Sequence, residues 1–205
     1  MTAAGIRTAD CLLAKSTNQA VSIAEQLDYP VVMKIASVDI SHKSDVGGVA
    51  LNLESQAAVR VAFDNMTARV KAARPEAHID GVTLQRMLPP GQEVIVGVVR
   101  DPQFGPLVMF GSGGVEVEGL KDVTFALAPL SRREAEEMLD STWAGRKLSG
   151  YRNIPPADRE AVVEALLRLA RLTELLPEIQ EIEINPLRVM PPGEGAWAVD
   201  VRVKV

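Results

Sequence analysis

The stretch YPVVMKIASVDISHKSDVGGVAL, residues 29–51, decides the fold because it places a lysine inside an apolar run and then adds a histidine and paired glycines. Pro30–Ala36 predicts a short buried strand with Lys34 at its centre. If Lys34 points inward, its ammonium group requires a carboxylate partner or a bound phosphate, because an unpaired buried charge is costly. If this strand lies at the edge of a sheet, Lys34 points to solvent and discourages aggregation. The strand alone favours neither interpretation.

The segment that follows, SHKSDVGG at residues 41–48, is rich in hydroxyl, histidine and lysine side chains and ends in two glycines. Adjacent glycines allow positive φ and let backbone N–H groups approach an anion closely. Val49–Leu53 then alternates as a half-buried strand. The pattern predicts a hairpin with a polar glycine loop that could cover a phosphate chain, although a paired-glycine turn by itself is more often only a turn.

Net charge, cysteine count and hydrophobic pattern argue against several classes of function. With 205 residues and a net charge of −5, the chain lacks the basic surface that general nucleic-acid binders need. The only cysteine, Cys11, excludes an intramolecular disulfide, so we expect a reducing compartment, the cytoplasm. No apolar run approaches the length of a membrane span, and the N-terminus does not resemble a signal peptide. We therefore expect neither a nucleic-acid nor a membrane partner.

The remaining pattern mixes helices and strands, which predicts an α+β fold. The Pro89-Pro90-Gly91 break predicts two lobes, residues 1–90 and residues 91–205. A second glycine run, residues 111–114, predicts an ordinary loop. Four main helices are predicted. The first is capped by Ser16 or Thr17 and ends at Leu27, and the second is capped by Ser55 and ends near Pro75. The third begins at the capping box Ser131–Glu134, and the fourth begins at Asp158.

The C-terminal region carries oxygen ligands on alternating strand positions. Period-two alternation from Ile179 places Glu183 and Asn185 on one face, and a last strand over 196–204 carries Asp200 on its polar face. A Pro-Pro-Gly segment between them predicts an antiparallel hairpin on which the three side chains converge. Carboxylate and amide oxygens suit Mg²⁺, which also takes waters and substrate phosphates as ligands. For each residue alone, a solvated strand face is the simpler interpretation. The cysteine and histidines show no zinc-site spacing.

Six segments in order resemble one known family: YPVVMKI, ISHKSDVGGVALNL, GQEVIVGVVRDPQFGPLVMFGSGG, VEGLKDVTFALAPL, EIEINPL and AVDVRVKV. The family is the ATP-grasp domain of NDP-forming acyl-CoA synthetases, which includes the β subunits of ADP-forming acetate–CoA ligases and is related to the succinyl-CoA synthetase β subunit. The resemblance covers nearly the whole chain. It implies an ATP-grasp fold, in which two α+β lobes close over the nucleotide and Mg²⁺.

The resemblance also implies residue roles. Lys34 would contact the ATP phosphates, the Gly47-Gly48 loop would cover them, and Asn185 and Asp200 would hold Mg²⁺. His42 would be the phosphohistidine carrier, which Glu183 would help to position. A neutral imidazole is needed to accept the phosphoryl group, and we expect Glu118 to hold its tautomer. The residues implied at the adenine hinge or near it are Gln85, Arg86, Met87, Leu88 and Glu93.

Two departures from the family bear on function. Family members have a longer helical lead before the segment matching Ala4–Ala14, so we expect a fragment or a trimmed domain. The chain also has no room for CoA-binding and ligase domains, which implies an α subunit or fused domains as partner. Two other hypotheses stay open: a regulatory ATP-grasp-like module attached to a protein lysine acetyltransferase, and an assembly subunit that has lost nucleotide binding. The synthetase is favoured by the joint presence of Lys34, His42, Glu183, Asn185 and Asp200.

Overall fold

The computed structural model describes residues 1–40, 42–114 and 122–205, and it divides the chain into two compact units. The smaller unit is Ala9–Pro89, and the larger unit combines Met1–Thr8 with Pro90–Val205. The strands in the described ranges are β1 (Arg7–Thr8), β2 (Cys11–Ala14), β3 (Val31–Ala36), β4 (Val49–Leu53), β5 (Gly81–Arg86), β6 (Gln92–Asp101), β7 (Gly105–Ser112), β8 (Val123–Leu127), β9 (Glu181–Val189), β10 (Ala196–Ala198) and β11 (Val201–Lys204). The α-helices in the same ranges are α1 (Thr17–Leu27), α2 (Gln56–Ala73), α3 (Arg132–Ser141), α4 (Trp143–Leu148) and α5 (Arg159–Leu175). None of these helices is long and apolar enough to span a bilayer.

The smaller unit is a four-stranded antiparallel sheet in the order β2-β5-β3-β4 with two helices packed on one face. Both helices begin where the sequence predicts, because the hydroxyls of Ser16 and Ser55 accept hydrogen bonds from backbone N–H groups of the first turn. Alternate residues of β3, namely Val31, Met33 and Ile35, join the helices in the core. Since β3 pairs with both β5 and β4, it is an interior strand, and the edge-strand interpretation of Lys34 is wrong.

The larger unit is a seven-stranded sheet in the order β1-β10-β9-β6-β7-β8, with β11 pairing beside β10 on β9. Helices α3, α4 and α5 supply core residues that pack on one face of this sheet. The capping box predicted at Ser131 and Glu134 is present at the start of α3. Together the two units give the α+β class that the sequence predicts.

Two expectations about the larger unit need correction. Residues 1–8, expected in the smaller lobe, belong to the larger unit because β1 pairs in parallel with β10, with Arg7 opposite Trp197. The last strand, expected to run unbroken over 196–204, is divided into β10 and β11, although both pair antiparallel with β9. The expected antiparallel hairpin is therefore confirmed, with an interruption at Val199 and Asp200.

Asp122 ties the sheet of the larger unit to the start of α4. Its Oδ1 accepts a hydrogen bond from the backbone N–H of Trp143, and its Oδ2 accepts from Ala144 N–H and from the Ser112 hydroxyl, each at 2.8 Å. Burial raises the pKa of this carboxyl group, but the hydrogen bonds to Trp143, Ala144 and Ser112 outweigh burial and hold the pKa below its ordinary 3.8. The ionised carboxylate therefore stabilises the folded state.

We predict that Asp122→Asn lowers the free energy of unfolding at pH 7 by about 1–2 kcal/mol, because three donors lose a charged acceptor that water only partly shields. The folded-state pKa lies below the unfolded one, so this stability is present above pH 3.8 and is lost as the pH falls through the lowered pKa. Urea unfolding at pH 7 and in steps below pH 4 measures the difference, with the exposed Glu178→Gln as control. A difference that persists unchanged in acid contradicts this role.

Candidate functional site

Lys34 lies at the centre of β3, where it pairs with Thr83 of β5 and Val49 of β4. Its side chain is only 9% exposed. Because successive strand residues point to opposite faces, Lys34 lies on the face of the sheet that does not carry the helices. Lys34 also makes a polar or electrostatic contact within the chain. Lys34 is thus a largely buried cationic residue with an interaction partner in the chain.

The expected adenine segment lies on the neighbouring strand and ends beyond it. Gln85 is 5% exposed and is the cross-strand partner of Val32, so it shares the helix-free face with Lys34 and Thr83. Beyond Gln85 the chain becomes more exposed: Arg86 ends β5, and the Met87 backbone N–H donates to Pro30 O at 3.0 Å. Leu88 follows in the same irregular segment. The structure therefore places the predicted lysine and the first predicted hinge residue on one face of one sheet.

The glycine loop, residues 43–48, closes on itself between β3 and β4. Gly47 adopts left-handed backbone angles with φ 65°, and its N–H donates to Ser44 O at 3.0 Å. The Gly48 N–H donates to Lys43 O at 2.7 Å, and a Cβ on Gly48 would lie 2.6 Å from Ile35 Cγ2. Both positions require glycine. The two amides expected to face an anion instead form hydrogen bonds within the loop, so in this conformation the loop can cover a phosphate without those two donors.

His42 immediately precedes this loop and is exposed, which leaves its imidazole accessible to a reactant. The residue before it, Ser41, and the proposed tautomer partner, Glu118, both lie outside the described residues. His78, the other histidine of the chain, is also exposed, and its Nε2 lies 3.2 Å from Asp80 Oδ1.

In the larger unit, Asn185 of β9 lies opposite Asp200, which is in the interruption between β10 and β11. The Asn185 backbone N–H donates to Asp200 O at 3.1 Å, and Val199 N–H donates to Pro186 O at 3.1 Å. These bonds continue the register of β10 and β11 on β9 through the interruption. Glu183 lies two residues before Asn185 and pairs with Arg202. The three predicted ligands are therefore grouped along one short stretch of the β9 ladder.

A β-bulge explains the local geometry of Asn185. On the β6 side, Ile184 pairs with Val96 but Leu187 pairs with Val94, so two β9 residues oppose Ile95 alone. The bulge changes the strand phase between the buried pair Ile182/Ile184 and the buried pair Leu187/Val189. Bulges of this type re-aim side chains and are frequent next to active sites.

Sequence patterns did not predict the network that holds the Asn185 side chain. Its Oδ1 accepts a hydrogen bond from Gly114 N–H at 3.0 Å, at the end of the second glycine run. A Cβ on Gly114 would lie 2.8 Å from Glu93 Oε2, and Arg188 Nη2 lies 2.6 Å from Glu93 Oε1. Glu93, expected near the adenine hinge, is thus ion-paired with Arg188 and lies beside the loop that contacts Asn185. The glycine pair at 113 and 114 is visible in the sequence, but the contact of Gly114 with Asn185 forms only when the chain folds.

The donor chemistry of this region fits a hard cation. Within the described ranges, no group of three or more histidine, cysteine, aspartate or glutamate side chains could hold a metal ion. The carboxylate of Asp200 and the amide oxygen of Asn185 are the type and number of protein ligands that Mg²⁺ uses when phosphates and water complete its octahedron.

Comparisons with known proteins show which family the chain belongs to. The family model described as an ATP-grasp domain matches residues 1–205. The ADP-forming acetate–CoA ligase I of Archaeoglobus fulgidus is 46% identical over 199 residues, which are 97% of this chain but 29% of that protein. The β subunit of ADP-forming acetate–CoA ligase I from Pyrococcus furiosus is 43% identical over 97% of this chain and 85% of the subunit.

Solved structures of dinucleotide-forming acetyl-coenzyme A synthetase 1 from Ca. Korarchaeum cryptofilum are also similar. The complex with coenzyme A, Ca-AMPCP and HgCl⁺ has a TM-score of 0.94 and 44% identity, covering 100% of this chain and 88% of that chain. The complex with coenzyme A and Mg-AMPPCP, whose phosphohistidine segment points towards the nucleotide site, has a TM-score of 0.83 and 39% identity, covering 100% and 87%. Because the family model matches its full length and the P. furiosus β subunit is 43% identical to it, the chain belongs to the ATP-grasp domain family, in the group that contains the β subunits of ADP-forming acetate–CoA ligases.

Proposed function

We propose that this chain is the ATP-binding, phosphoryl-transferring domain or β subunit of an ADP-forming acyl-CoA synthetase of the acetate–CoA ligase type. It would couple ATP and ADP to acyl phosphate and acyl-CoA through a phosphohistidine. The observation that carries the proposal is Lys34, a 9% exposed residue on an interior strand, followed along the chain by the exposed His42 and the glycine loop. A largely buried cation and an accessible nucleophile in the same segment of the chain suit an anionic substrate such as a nucleotide.

In the proposed step, a neutral imidazole nitrogen of His42 attacks the γ-phosphorus of ATP. A P–N bond forms, the bond between the γ-phosphorus and the β,γ-bridging oxygen breaks, and ADP leaves with that electron pair. Lys34 would offset the phosphate charge, which is the main protein contribution to phosphoryl transfer. The phosphoryl group on His42 would then pass to or from the partner that handles acyl phosphate and CoA.

Asn185 and Asp200 would hold Mg²⁺, and Glu183 would help to position the phosphohistidine. The adjacent placement of Asn185 and Asp200 in the β9 ladder supports this assignment. When bound, Mg²⁺ would neutralise charge on the phosphate oxygens. Gln85 through Leu88 would contact adenine, which their position at the end of β5 supports. Glu93 would lie near the adenine hinge, where its ion pair with Arg188 would hold it in place.

The chain would act with further domains. Because it spans 29% of the single-chain ligase of A. fulgidus but 85% of the P. furiosus β subunit, we expect an α subunit or fused domains to carry CoA binding and ligation. The single cysteine supports a reducing, cytoplasmic location. The acetyltransferase-linked regulatory alternative gains no support from the relatives reported above, which are ligases and synthetases.

Phosphoryl transfer to His42 predicts that γ-labelled ATP with Mg²⁺ gives acid-labile, base-stable label on the chain, with or without an added α subunit. The two histidines of the sequence provide a matched pair of variants. His42→Ala should abolish the label, whereas His78→Ala should retain it, because both histidines are exposed and only His42 adjoins the glycine loop. Absence of label in every mixture of the unmodified chain would contradict the role of His42 as phosphocarrier.

Removal of the Lys34 charge should weaken ATP binding by about 2 kcal/mol, roughly 30-fold in Kd, because a charge-assisted contact with phosphate is lost. Lys34→Met keeps most of the buried volume and is preferable to Lys34→Ala. Calorimetric titration with ATP measures the affinity, and circular dichroism checks that the variant is folded. Unchanged affinity in a folded variant means that Lys34 does not contact nucleotide. It would also favour the third hypothesis, a subunit kept for assembly.

The proposed metal role predicts that Asp200→Asn reduces the Mg²⁺ dependence of nucleotide binding. The affinity for ATP with excess Mg²⁺ should fall toward the value measured with EDTA, since a neutral amide is a weaker ligand than a carboxylate. Glu181→Gln is a matched control, because Glu181 is an acidic residue of β9 that pairs with Lys204 at the other end of the β9–β11 ladder. Equal Mg²⁺ dependence in the two variants argues against a metal ligand at Asp200.

A further inference from the structure

We infer that Arg69 is a positioning residue for the glycine loop and acts through Gly47. Its effect on nucleotide binding rests on the proposed function, whereas its effect on the loop does not. Arg69 lies near the end of α2, and its side chain covers Gly47: a Cβ built on Gly47 would lie 2.7 Å from both Cδ and Nη1 of Arg69. The side chain therefore occupies the space that any residue other than glycine would fill at this point of the loop.

Arg69 approaches the loop from the side of the sheet that carries the helices. Helix α2 buries Val59, Met66 and Val70 in the core that also contains Ile35, and Gly48 lies against the Ile35 side chain. Lys34 is on the opposite face of the same strand. Arg69 thus supports the loop from behind, and we expect it to position the loop that covers the phosphates without binding them directly.

The loop gains from such support because its two glycine amides bond internally and do not attach it to α2. The amides of Gly47 and Gly48 bond within residues 43–48, and the Gly48 carbonyl oxygen accepts from Ile35 N–H at 2.8 Å. Val46 adds packing against the core. Arg69 is exposed, and within the described ranges it forms no ion pair or hydrogen bond. Its stem and guanidinium are therefore available to pack on the glycine backbone, as arginine stems do on apolar surfaces.

The first test needs no nucleotide. Amide hydrogen exchange should become faster over residues 42–49 in Arg69→Ala, because the loop loses the side chain that limits its opening. Lys71→Ala is the matched control: Lys71 is an exposed cation on the same helix, about 200° around the helix axis from Arg69. Unchanged exchange over residues 42–49 in Arg69→Ala overturns the inference, whatever the chain binds.

The second test measures affinity. We expect Arg69→Ala to raise the Kd for ATP about 5-fold, since apparent affinity falls with the fraction of chains whose loop is in place. The Kd for AMP, which lacks the terminal phosphates, should not change. Arg69→Met should restore most of the affinity, because it keeps an aliphatic stem over Gly47 but not the charge.

The outcomes separate the two proposals. If Lys34→Met weakens ATP binding and Arg69→Ala does not, the inference about Arg69 is wrong while the proposed function stands. If neither variant affects ATP, the proposed function fails, and hydrogen exchange alone decides whether Arg69 positions the loop.

A double-mutant cycle tests the contact itself. Gly47→Ala should destabilise the chain through both its positive φ and its collision with Arg69. In the Arg69→Ala background the collision is absent, so Gly47→Ala should cost less, and urea unfolding of the four variants measures the coupling. Additive effects contradict a direct Arg69–Gly47 contact.

Discussion

Burial of the Lys34 ammonium group is the constraint on which the organisation of the smaller unit depends. A charge in the middle of an interior strand is costly to bury unless it is paired, and Lys34 has an interaction partner within the chain. Its neighbours on the same face, Thr83 and Gln85, are also polar. The other face of the strand is apolar and packs on two helices. The sheet therefore has one face that stabilises the fold and one face suited to a polar ligand.

The larger unit also has to place polar residues in a packed sheet, and it does so with a β-bulge in β9. A regular β9 would keep one phase of alternation from Ile182 to Val189, but the bulge opposite Ile95 adds a residue. Buried aliphatic side chains can then flank Asn185 on both sides without loss of core packing. The amide oxygen of Asn185 accepts a hydrogen bond from Gly114 N–H, and the backbone bond from Asn185 N–H to Asp200 O brings Asp200 to the same level. Local irregularity thus brings two residues with oxygen-bearing side chains together in an otherwise regular sheet.

Features that depend on neighbouring residues were predicted well from the sequence. The caps at Ser16, Ser55 and Ser131 begin helices as expected, because a side chain that accepts a hydrogen bond from its own first turn needs no distant partner. Predictions that depend on strand neighbours were less secure. The sequence of β3 does not reveal whether one or two strands flank it, and nothing local to Arg7 shows that it pairs with Trp197 at the other end of the chain.

The sequence by itself determined the main helices and strands, the α+β class, the family and the residue types able to bind phosphate and a hard cation, because alternation, capping and ordered motifs are properties of contiguous residues. Only the tertiary structure decided that Lys34 is buried, that Gly47 and Gly48 use their amides within the loop, and that Arg69 covers Gly47. It also decided that Gly114 contacts Asn185 across 71 positions. These facts depend on which segments pack together. Packing brings together residues that are far apart in the sequence, and no local pattern indicates such a contact.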